Sequence, residues 1–283
     1  MKAFTRVCLS IALISIGLGM GVLFVAAGRR TTLRDTPAYS AADSAENVKG
    51  LDIRMDVGEL TIIQGDEFRV EAENLYNEDD FSSYMSGDVW IVSNKLHNIS
   101  DTFSLFGFNI PISIGMGRFK APKIAITVPR GFHADDIKIS IGAGKIKADN
   151  LSADTASFSV DAGSLEIDGL VISEKSSYFV SAGQIKLEEV DIRNITVECN
   201  VGSVWMEGIV TGDNDVYCDV GKVTLKLEDS MDFYSFDIDS DIGNVIINNK
   251  SYHNKNIRRN GNISKGSFGL KVDVGNISMD FRK

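Results

Sequence analysis

The sequence predicts an all-β protein, a parallel β-solenoid with coils of about 19–20 residues, preceded by one transmembrane α-helix. Three observations predict this architecture: an uncharged apolar segment near the N-terminus, a recurring glycine-centred pattern, and alternation of apolar and polar residues around each glycine. The 283 residues carry a net charge of −10, and 43% of them are hydrophobic, which suits a folded core. A chain this acidic argues against nucleic acid as a partner.

The N-terminal segment is expected to lie in a membrane. Residues 7–27 carry no charge and consist mostly of Leu, Ile, Val, Ala and Gly. As a helix they would extend roughly 31 Å, the thickness of the hydrocarbon core of a bilayer. We therefore expect a single-pass anchor over residues 1–28, with residues 29–283 outside the cytoplasm. A cleavable signal peptide ending near Ala27 is the alternative, although its apolar region would exceed the usual length of about 7–15 residues.

Two further regions follow the anchor. Residues 29–49 are small and polar, as in a flexible linker. Residues 50–283 form the repeat domain, with insertions at 98–120 and 248–267 that interrupt its pattern. The last repeat ends near Lys283, so its coil is expected to leave an open edge unless the second insertion covers it or another chain pairs with it.

The repeat is centred on a glycine within the pattern Asp-Val-Gly-x-apolar-x-apolar. From the second copy onward, successive glycines are 19, 20, 19, 19, 22 and 32 residues apart. The repeat glycines are Gly58, Gly144, Gly163, Gly183, Gly202, Gly221, Gly243 and Gly275. A repeat of this length is too short for a pair of helices and suits one coil of a β-solenoid.

Apolar residues stand three and one positions before each repeat glycine and two and four positions after it, except for Ser240 three positions before Gly243. Alternation at period two indicates half-buried strands, so these four positions are expected to face the core. The phase changes at the glycine, which predicts a bulge or corner with positive φ, a conformation that glycine tolerates. An antiparallel barrel would also give alternation, but would not place a glycine corner at the same phase in every repeat.

The first insertion is rich in apolar side chains, among them Phe103, Phe106 and Phe108. We expect this segment to cover the exposed end of the solenoid, and contact with a partner or with lipid is the alternative. Four flanking strands are expected: two within 51–73, around Gly58, one at 89–93 and one at 123–129.

The run from Gly50 to Ile62, together with the segment Ile124–Pro129 and the glycine repeats, resembles the DUF4097 family of adhesin-like bacterial β-strand repeat domains. The resemblance covers about residues 50–283 and implies a β-solenoid at the cell surface. It implies no catalytic residue, since the family offers none to carry over.

The position two residues before each glycine is often Asp and is expected to point outward. Such carboxylates could bind calcium, but hydrogen bonding to the corner backbone is the commoner role. Cys199 and Cys218 share one position on adjacent coils, where buried free thiols are expected and a disulfide is the alternative.

No catalytic or metal-binding motif accompanies the repeats, and His97, His133 and His253 have no partner at ligand or triad spacing in the sequence. Phe179, Trp205 and Tyr217 fall at outward positions on successive coils, which makes them candidates for a binding surface.

These observations predict a non-catalytic binding or scaffold module at the cell membrane, with no cofactor. Its expected partners are the bilayer, through residues 7–27, and an unidentified protein or glycan outside the cytoplasm. Self-association through the edge of the C-terminal coil is a further expectation. The alternatives are a signalling partner in the envelope and, with less support, a carbohydrate-active enzyme.

Overall fold

The computed structural model describes residues 39–40, 47–75, 80–95, 102–105, 108–111, 121–252, 256–259 and 264–282. The predicted membrane segment, residues 7–27, lies outside these ranges. Within them, no helix is long and apolar enough to cross a membrane.

Strands make up almost all of the described chain, and two of them are much longer than one coil. They are β1 (Tyr39–Ser40), β2 (Gly50–Gly65), β3 (Arg69–Glu73), β4 (Phe81–Ser86), β5 (Val89–Asn94), β6 (Thr102–Leu105), β7 (Phe108–Pro111), β8 (Lys123–Pro129), β9 (Ala134–Arg193), β10 (Ile195–Leu227), β11 (Tyr234–Ile247), β12 (Lys250–Tyr252), β13 (Asn256–Arg259) and β14 (Gly266–Phe281). β9 and β10 are long because the chain passes from one coil into the next without leaving the sheet.

The repeat glycines form one column, each stacked on the glycine of a neighbouring coil. A Cβ atom added to Gly183 would lie 1.7 Å from the Gly163 carbonyl oxygen, and one added to Gly202 would lie 1.6 Å from the Gly183 oxygen. All eight glycines have φ between 138° and 153°. β10 pairs in parallel with β9 and aligns Gly202 with Gly183. The parallel stacking of coils is therefore confirmed, and the stacked backbone adds a steric requirement for glycine to the conformational one.

The last two coils stack in an order that differs from their order in the chain. β14 pairs in parallel with both β10 and β11 and therefore lies between them. Along the stack the glycine column runs Gly58, Gly144, Gly163, Gly183, Gly202, Gly221, Gly275, Gly243. The expectation that the last repeat forms an open edge is wrong, because β14 finds a paired neighbour on each side. β11 forms the final coil instead.

Three of the four positions that were expected to face the core are buried. The residues three before the glycine, two after it and four after it are buried in all eight repeats. At the position directly before the glycine, only Val57 is buried, and Ala162, Ala182 and Ile242 are exposed. The expectation for that position is wrong because the corner extends over several residues, and the chain there bends around the edge of the core.

Antiparallel strands close the N-terminal end of the stack. β5 and β8 pair in parallel with the first and second halves of β2 and together form the first coil. β4 then pairs with β5, β3 pairs with β8, and β1 pairs with β3, all antiparallel. Tyr39 and Ser40, within the expected linker of residues 29–49, thus lie against the sheet.

The two insertions fold differently. In residues 98–120, β6 and β7 pair antiparallel as a two-stranded sheet of their own and add no strand to the large sheet. In residues 248–267, β12 and β13 pair antiparallel with β11. The second insertion therefore covers part of the C-terminal end, and the N-terminal end is covered by β1, β3 and β4.

Candidate binding groove

One continuous outer surface, here called the groove face, lies on the strands that precede the repeat glycines. Its side chains stand six and four positions before each glycine, and the parallel register aligns them in two columns. In stacking order, the first column is Asp52, Lys138, Ser157, Ser177, Thr196, Asp215, Gly269, Asp237, and the second is Arg54, Ser140, Ser159, Phe179, Glu198, Tyr217, Lys271, Asp239.

The larger groove on this face has a volume of about 570 Å³ and lies near the C-terminal end of the stack. Its lining residues are Tyr217, Asp237, Asp239, Arg258, Gly269, Leu270 and Lys271. Tyr217 leaves 41% of its surface exposed, although its neighbours along the strand, Val216 and Cys218, are buried. The groove therefore presents an aromatic ring beside charged groups of both signs.

The floor of this groove is formed by a glycine, which leaves space there because it has no side chain. Gly269 stands in the first column between Asp215 and Asp237, where the other coils carry a side chain. A Cβ atom added to Gly269 would lie 2.6 Å from the Asp215 Oδ1 atom. Any larger residue here would displace that carboxylate and fill the groove.

The basic groups of the groove are paired with carboxylates, one on a neighbouring strand and one on the same strand. Arg258, from β13, donates from Nε to Asp237 Oδ2 at 3.1 Å. Lys271 Nζ lies 3.5 Å from Asp273 Oδ1. Both pairs are exposed to solvent, so they orient the side chains more than they stabilise the fold.

A smaller groove of about 210 Å³ lies on the same face near the N-terminal end. Asp52 and Arg54 line it together with Lys138 and three serines. Arg54 Nε donates to Asp52 Oδ1 at 2.8 Å, and Lys138 Nζ lies 2.5 Å from Asp136 Oδ2. The hydrogen bond with Asp136 raises the pKa of Lys138. No aromatic residue lines this groove, so the larger one is the better candidate.

The structure separates the three aromatic residues that the sequence singles out. Phe179 and Tyr217 share the second column of the groove face, two coils apart, with Glu198 between them. Trp205 lies on the other side of the glycine corner, where Lys186 Nζ and Lys226 Nζ are 5.5 Å and 5.0 Å from its ring centre. Tyr217 therefore lines the larger groove and Trp205 belongs to a different surface.

The remaining predicted aromatic residues belong to the first insertion. Phe103 is in β6 and pairs with Ile110, and Phe108 is in β7 and pairs with Leu105. Phe106 lies outside the described residues.

The structure brings together a histidine, a serine and an aspartate that the sequence analysis left unconnected. His133 Nδ1 lies 2.7 Å from Ser152 Oγ, and His133 Nε2 lies 3.1 Å from Asp154 Oδ1. Ser173 Oγ donates to the same Asp154 oxygen at 2.6 Å, and these hydrogen bonds lower the pKa of Asp154. The motif spacings considered in the sequence did not predict these contacts of His133. Its partners lie one coil further along the chain, so the repeat length could have identified them.

This cluster joins neighbouring coils on the outer surface. His133 and Asp154 leave 46% and 43% of their side chains exposed, and neither groove includes them. The hydrogen bonds therefore fasten the turn before β9 to the next coils.

The aspartates before the glycines are exposed or half-buried, as expected. Burial raises the pKa of Asp161, which lies in the middle of the stack. Within the described ranges, no group of three or more His, Cys, Asp or Glu residues could hold a metal ion.

Cys199 and Cys218 are buried, and neither forms a disulfide. The hydrogen bond with Cys199, together with burial, raises the pKa of the Cys218 thiol. Both thiols therefore pack as small core side chains.

The sequence pattern did not single out several residues of the larger groove. Lys271 and Asp239 share the column of Tyr217, and the glycine alignment could have shown this. Arg258 comes from an insertion without the repeat pattern, so nothing in the alignment connects it to Asp237.

The structure matches solved structures over most of the chain, at low sequence identity. A proposed cell adhesion protein from Clostridium sporogenes ATCC 15579 is 14% identical with a TM-score of 0.38, and the match covers 89% of this chain and 100% of that one. A proposed adhesin from Bacteroides fragilis NCTC 9343 is 12% identical with a TM-score of 0.43, covering 88% of this chain and 97% of that one.

No curated protein matches the chain. The family model of Toastrack DUF4097 matches residues 86–281, which include seven of the eight repeat glycines. This match extends over more than half of the chain and agrees with the resemblance carried by its repeats. The chain belongs to the DUF4097 (Toastrack) family.

Proposed function

We propose that this protein is a membrane-anchored, extracytoplasmic and non-catalytic binding module of adhesin type, and that its larger groove holds a neutral saccharide. The observation that carries the proposal is the exposed ring of Tyr217 beside Lys271 and Asp239 in a groove without a side chain on its floor. The saccharide is the ligand class that fits all three features.

The aromatic ring supplies the apolar part of the site. A tyrosine presents a flat apolar face and a polar hydroxyl, so it can pack against the C–H side of a sugar ring and still bond with its hydroxyls. The backbone of Tyr217 is fixed by parallel pairing of its strand with β14. The backbone that carries the ring is thus in place before a ligand arrives, which lowers the entropic cost of binding.

The charged groups supply the polar part. Two acidic and two basic residues line the groove, so their formal charges balance. Carboxylates accept hydrogen bonds from sugar hydroxyls, and Lys and Arg donate to ring and hydroxyl oxygens. This balance favours a neutral polyhydroxylated ligand over a strongly charged one.

The open shape supports binding to part of a longer chain. The groove runs along the stack between two columns of the groove face, and the smaller groove lies on the same face. An extended glycan can continue along such a face beyond the groove.

The apolar N-terminal segment supports the proposed location. Residues 7–27 are uncharged and long enough to span a bilayer as a helix. Fractionation of cells that produce the full chain should recover it with membranes and leave residues 50–283 open to added protease outside the cytoplasm. Recovery in the cytoplasm would contradict this part of the proposal.

Binding is tested with the full chain in non-ionic detergent on an array of neutral and charged glycans. We expect selective binding of neutral glycans, and we expect Tyr217→Ala to weaken it at least about tenfold through the loss of ring stacking. Phe179→Ala is the matched control, because Phe179 occupies the same column two coils away and lies outside the groove. Equal loss in both variants would contradict the site.

A second pair of variants tests whether the space above Gly269 in the larger groove is needed for binding. Gly269→Val should fill the groove and abolish binding, whereas Ser177→Val places the same side chain in the same column outside it. Cleavage of a bound glycan by the unaltered protein would overturn the non-catalytic part of the proposal.

A further inference from the structure

The strands that cover the two ends of the stack differ in charge. Among the described residues of 66–88, which include β3 and β4 at the N-terminal end, six are acidic and one is basic. Among the described residues of 248–265, which include β12 and β13 at the C-terminal end, four are basic and none is acidic. The final coil beneath β12 and β13, residues 228–247, carries six acidic residues and no basic residue. Two of these, Asp237 and Asp229, pair with Arg258 and Lys265, so the contrast in charge is confined to the covering strands.

The charges at both ends are accessible. The side chain of Asp66 is 91% exposed, and that of Arg258 is 74% exposed. Arg258 contacts Asp237 of its own chain, yet its guanidinium has five N–H donors and can bind a further group.

Each end also presents a strand edge on the groove face. Within the described ranges, β4 pairs with β5 alone and β13 pairs with β11 alone. β4 has the sequence FSSYMS, without the charge or proline that natural edge strands commonly use to prevent pairing. Its outer edge is therefore suited to accept another strand.

We propose that a second copy of this chain pairs head-to-tail through these ends, with its β13 adding to β4 of the first copy. Opposite charge on the covering strands favours unlike ends, because two acidic N-terminal covers repel one another. The arrangement is heterologous, so each added copy leaves a new free end and the product is an open array.

The register of both edge strands supports one alignment. β4 and β13 each run antiparallel to the coil strands beside them, so they would run parallel to each other. Tyr84 and Arg258 both belong to the first column of the groove face, and Ser82 and Asn256 both belong to the second. A continuous face therefore pairs Ser82 with Asn256 and Tyr84 with Arg258.

This alignment places complementary side chains together. The side chain of Tyr84 is 52% exposed on the outer surface of β4. A guanidinium over a tyrosine ring is a favourable cation–π contact. The joined sheet would bring the groove faces of successive copies into line.

The first test mixes two forms of the full chain in non-ionic detergent, one with Ser82→Cys and the other with Asn256→Cys. Under mild oxidation we expect a cross-linked dimer in the mixture and little in either form alone. The yield should fall several-fold when salt is raised from about 0.05 M to about 0.5 M, since screening weakens charge attraction. Equal cross-linking of Ser82→Cys alone, or none in the mixture at any protein concentration, would overturn the proposal.

The second test exchanges charge across the proposed contact, within the same cysteine forms. Arg258→Glu in one form should lower the yield at least tenfold, and so should Tyr84→Lys in the other. Mixing the two altered forms should restore cross-linking, because a Lys–Glu pair replaces the original contact. Lys175→Glu, an exposed change in the middle of the stack, is the matched control and should have no effect. Failure of the exchange to restore the yield, with thermal unfolding unchanged, would contradict the alignment.

Discussion

The coils in the middle of the solenoid and the coils at its ends are packed against their neighbours in different ways. In the middle, a repeat glycine such as Gly183 stacks on the backbone of another glycine. At the N-terminal end, a Cβ atom on Gly58 would lie 2.3 Å from the carbonyl oxygen of Pro122, and at the other end Ser240 takes a core position that is apolar in most repeats. A coil in the middle can rely on identical neighbours, whereas a terminal coil needs separate strands to cover it.

The largest expected effect tests the stacking in the middle. Gly183→Ala places a Cβ atom 1.7 Å from the Gly163 oxygen at a φ of 147°, so two coils must separate. We expect a loss of about 3 kcal/mol or more in the free energy of unfolding, measured by thermal or urea denaturation of the full chain. Gly87→Ala is the matched control, since its φ is 65° but no atom lies within 4 Å of the added Cβ.

For the control, only backbone strain applies, and we expect a loss of about 1 kcal/mol. Equal losses in the two variants would show that backbone conformation, and not stacking, makes glycine necessary in the middle.

A smaller effect of opposite sign is expected at the C-terminal end. Ser240 is 1% exposed, and its hydroxyl has no hydrogen-bond partner among the described residues. It aligns with Val272 of the neighbouring coil. Ser240→Ala removes a buried unpaired hydroxyl and should raise the free energy of unfolding by about 1 kcal/mol. The exposed change Ser82→Ala should leave it unchanged, and a loss of stability in Ser240→Ala would indicate a partner for the hydroxyl.

The smallest expected effect depends on pH. Burial raises the pKa of Asp161 above its ordinary value of 3.8, so the folded state binds this proton more tightly than the unfolded state. The contribution of Asp161 to stability is therefore most favourable below pH 3.8 and is lost as the pH rises through the raised pKa. Asp161→Asn should stabilise the fold at pH 7 by up to about 1 kcal/mol, and the difference should vanish near pH 3.

Unfolding curves at both pH values measure this difference. Asp191→Asn, an exposed change on another coil, should alter stability little at either pH. The same gain at both pH values would indicate that the carboxylate charge is not its cause.

The repeat pattern predicted the middle of the molecule well. Glycine spacing and period-two alternation gave the parallel stack and three of its four core positions, because each coil repeats the same contacts. The position before the glycine was mispredicted, since alternation does not show how many residues a corner occupies. Val57 is buried there and Ile242 is exposed, although both are apolar.

The structure of the two ends and of the larger groove could not be predicted from the glycine repeat pattern alone. The sequence identified Tyr217 as a candidate, but Arg258 reaches the groove only because β13 folds back on β11. Trp205 was grouped with Tyr217 because outward positions look alike in the sequence, although the glycine corner separates their surfaces. The partners of His133 follow from the coil length, which shows that the register of a repeat can reveal contacts as well as burial.

The exchanged order of the final coils has a consequence for synthesis. β11 leaves the ribosome before β14, yet β14 takes the place next to β10. Because β11 carries the same apolar pattern as β14, we expect β11 of the nascent chain to pair first with β10 in a similar alignment. That premature arrangement must open again before β14 can enter, so we expect maturation of this end to be the slow step of folding.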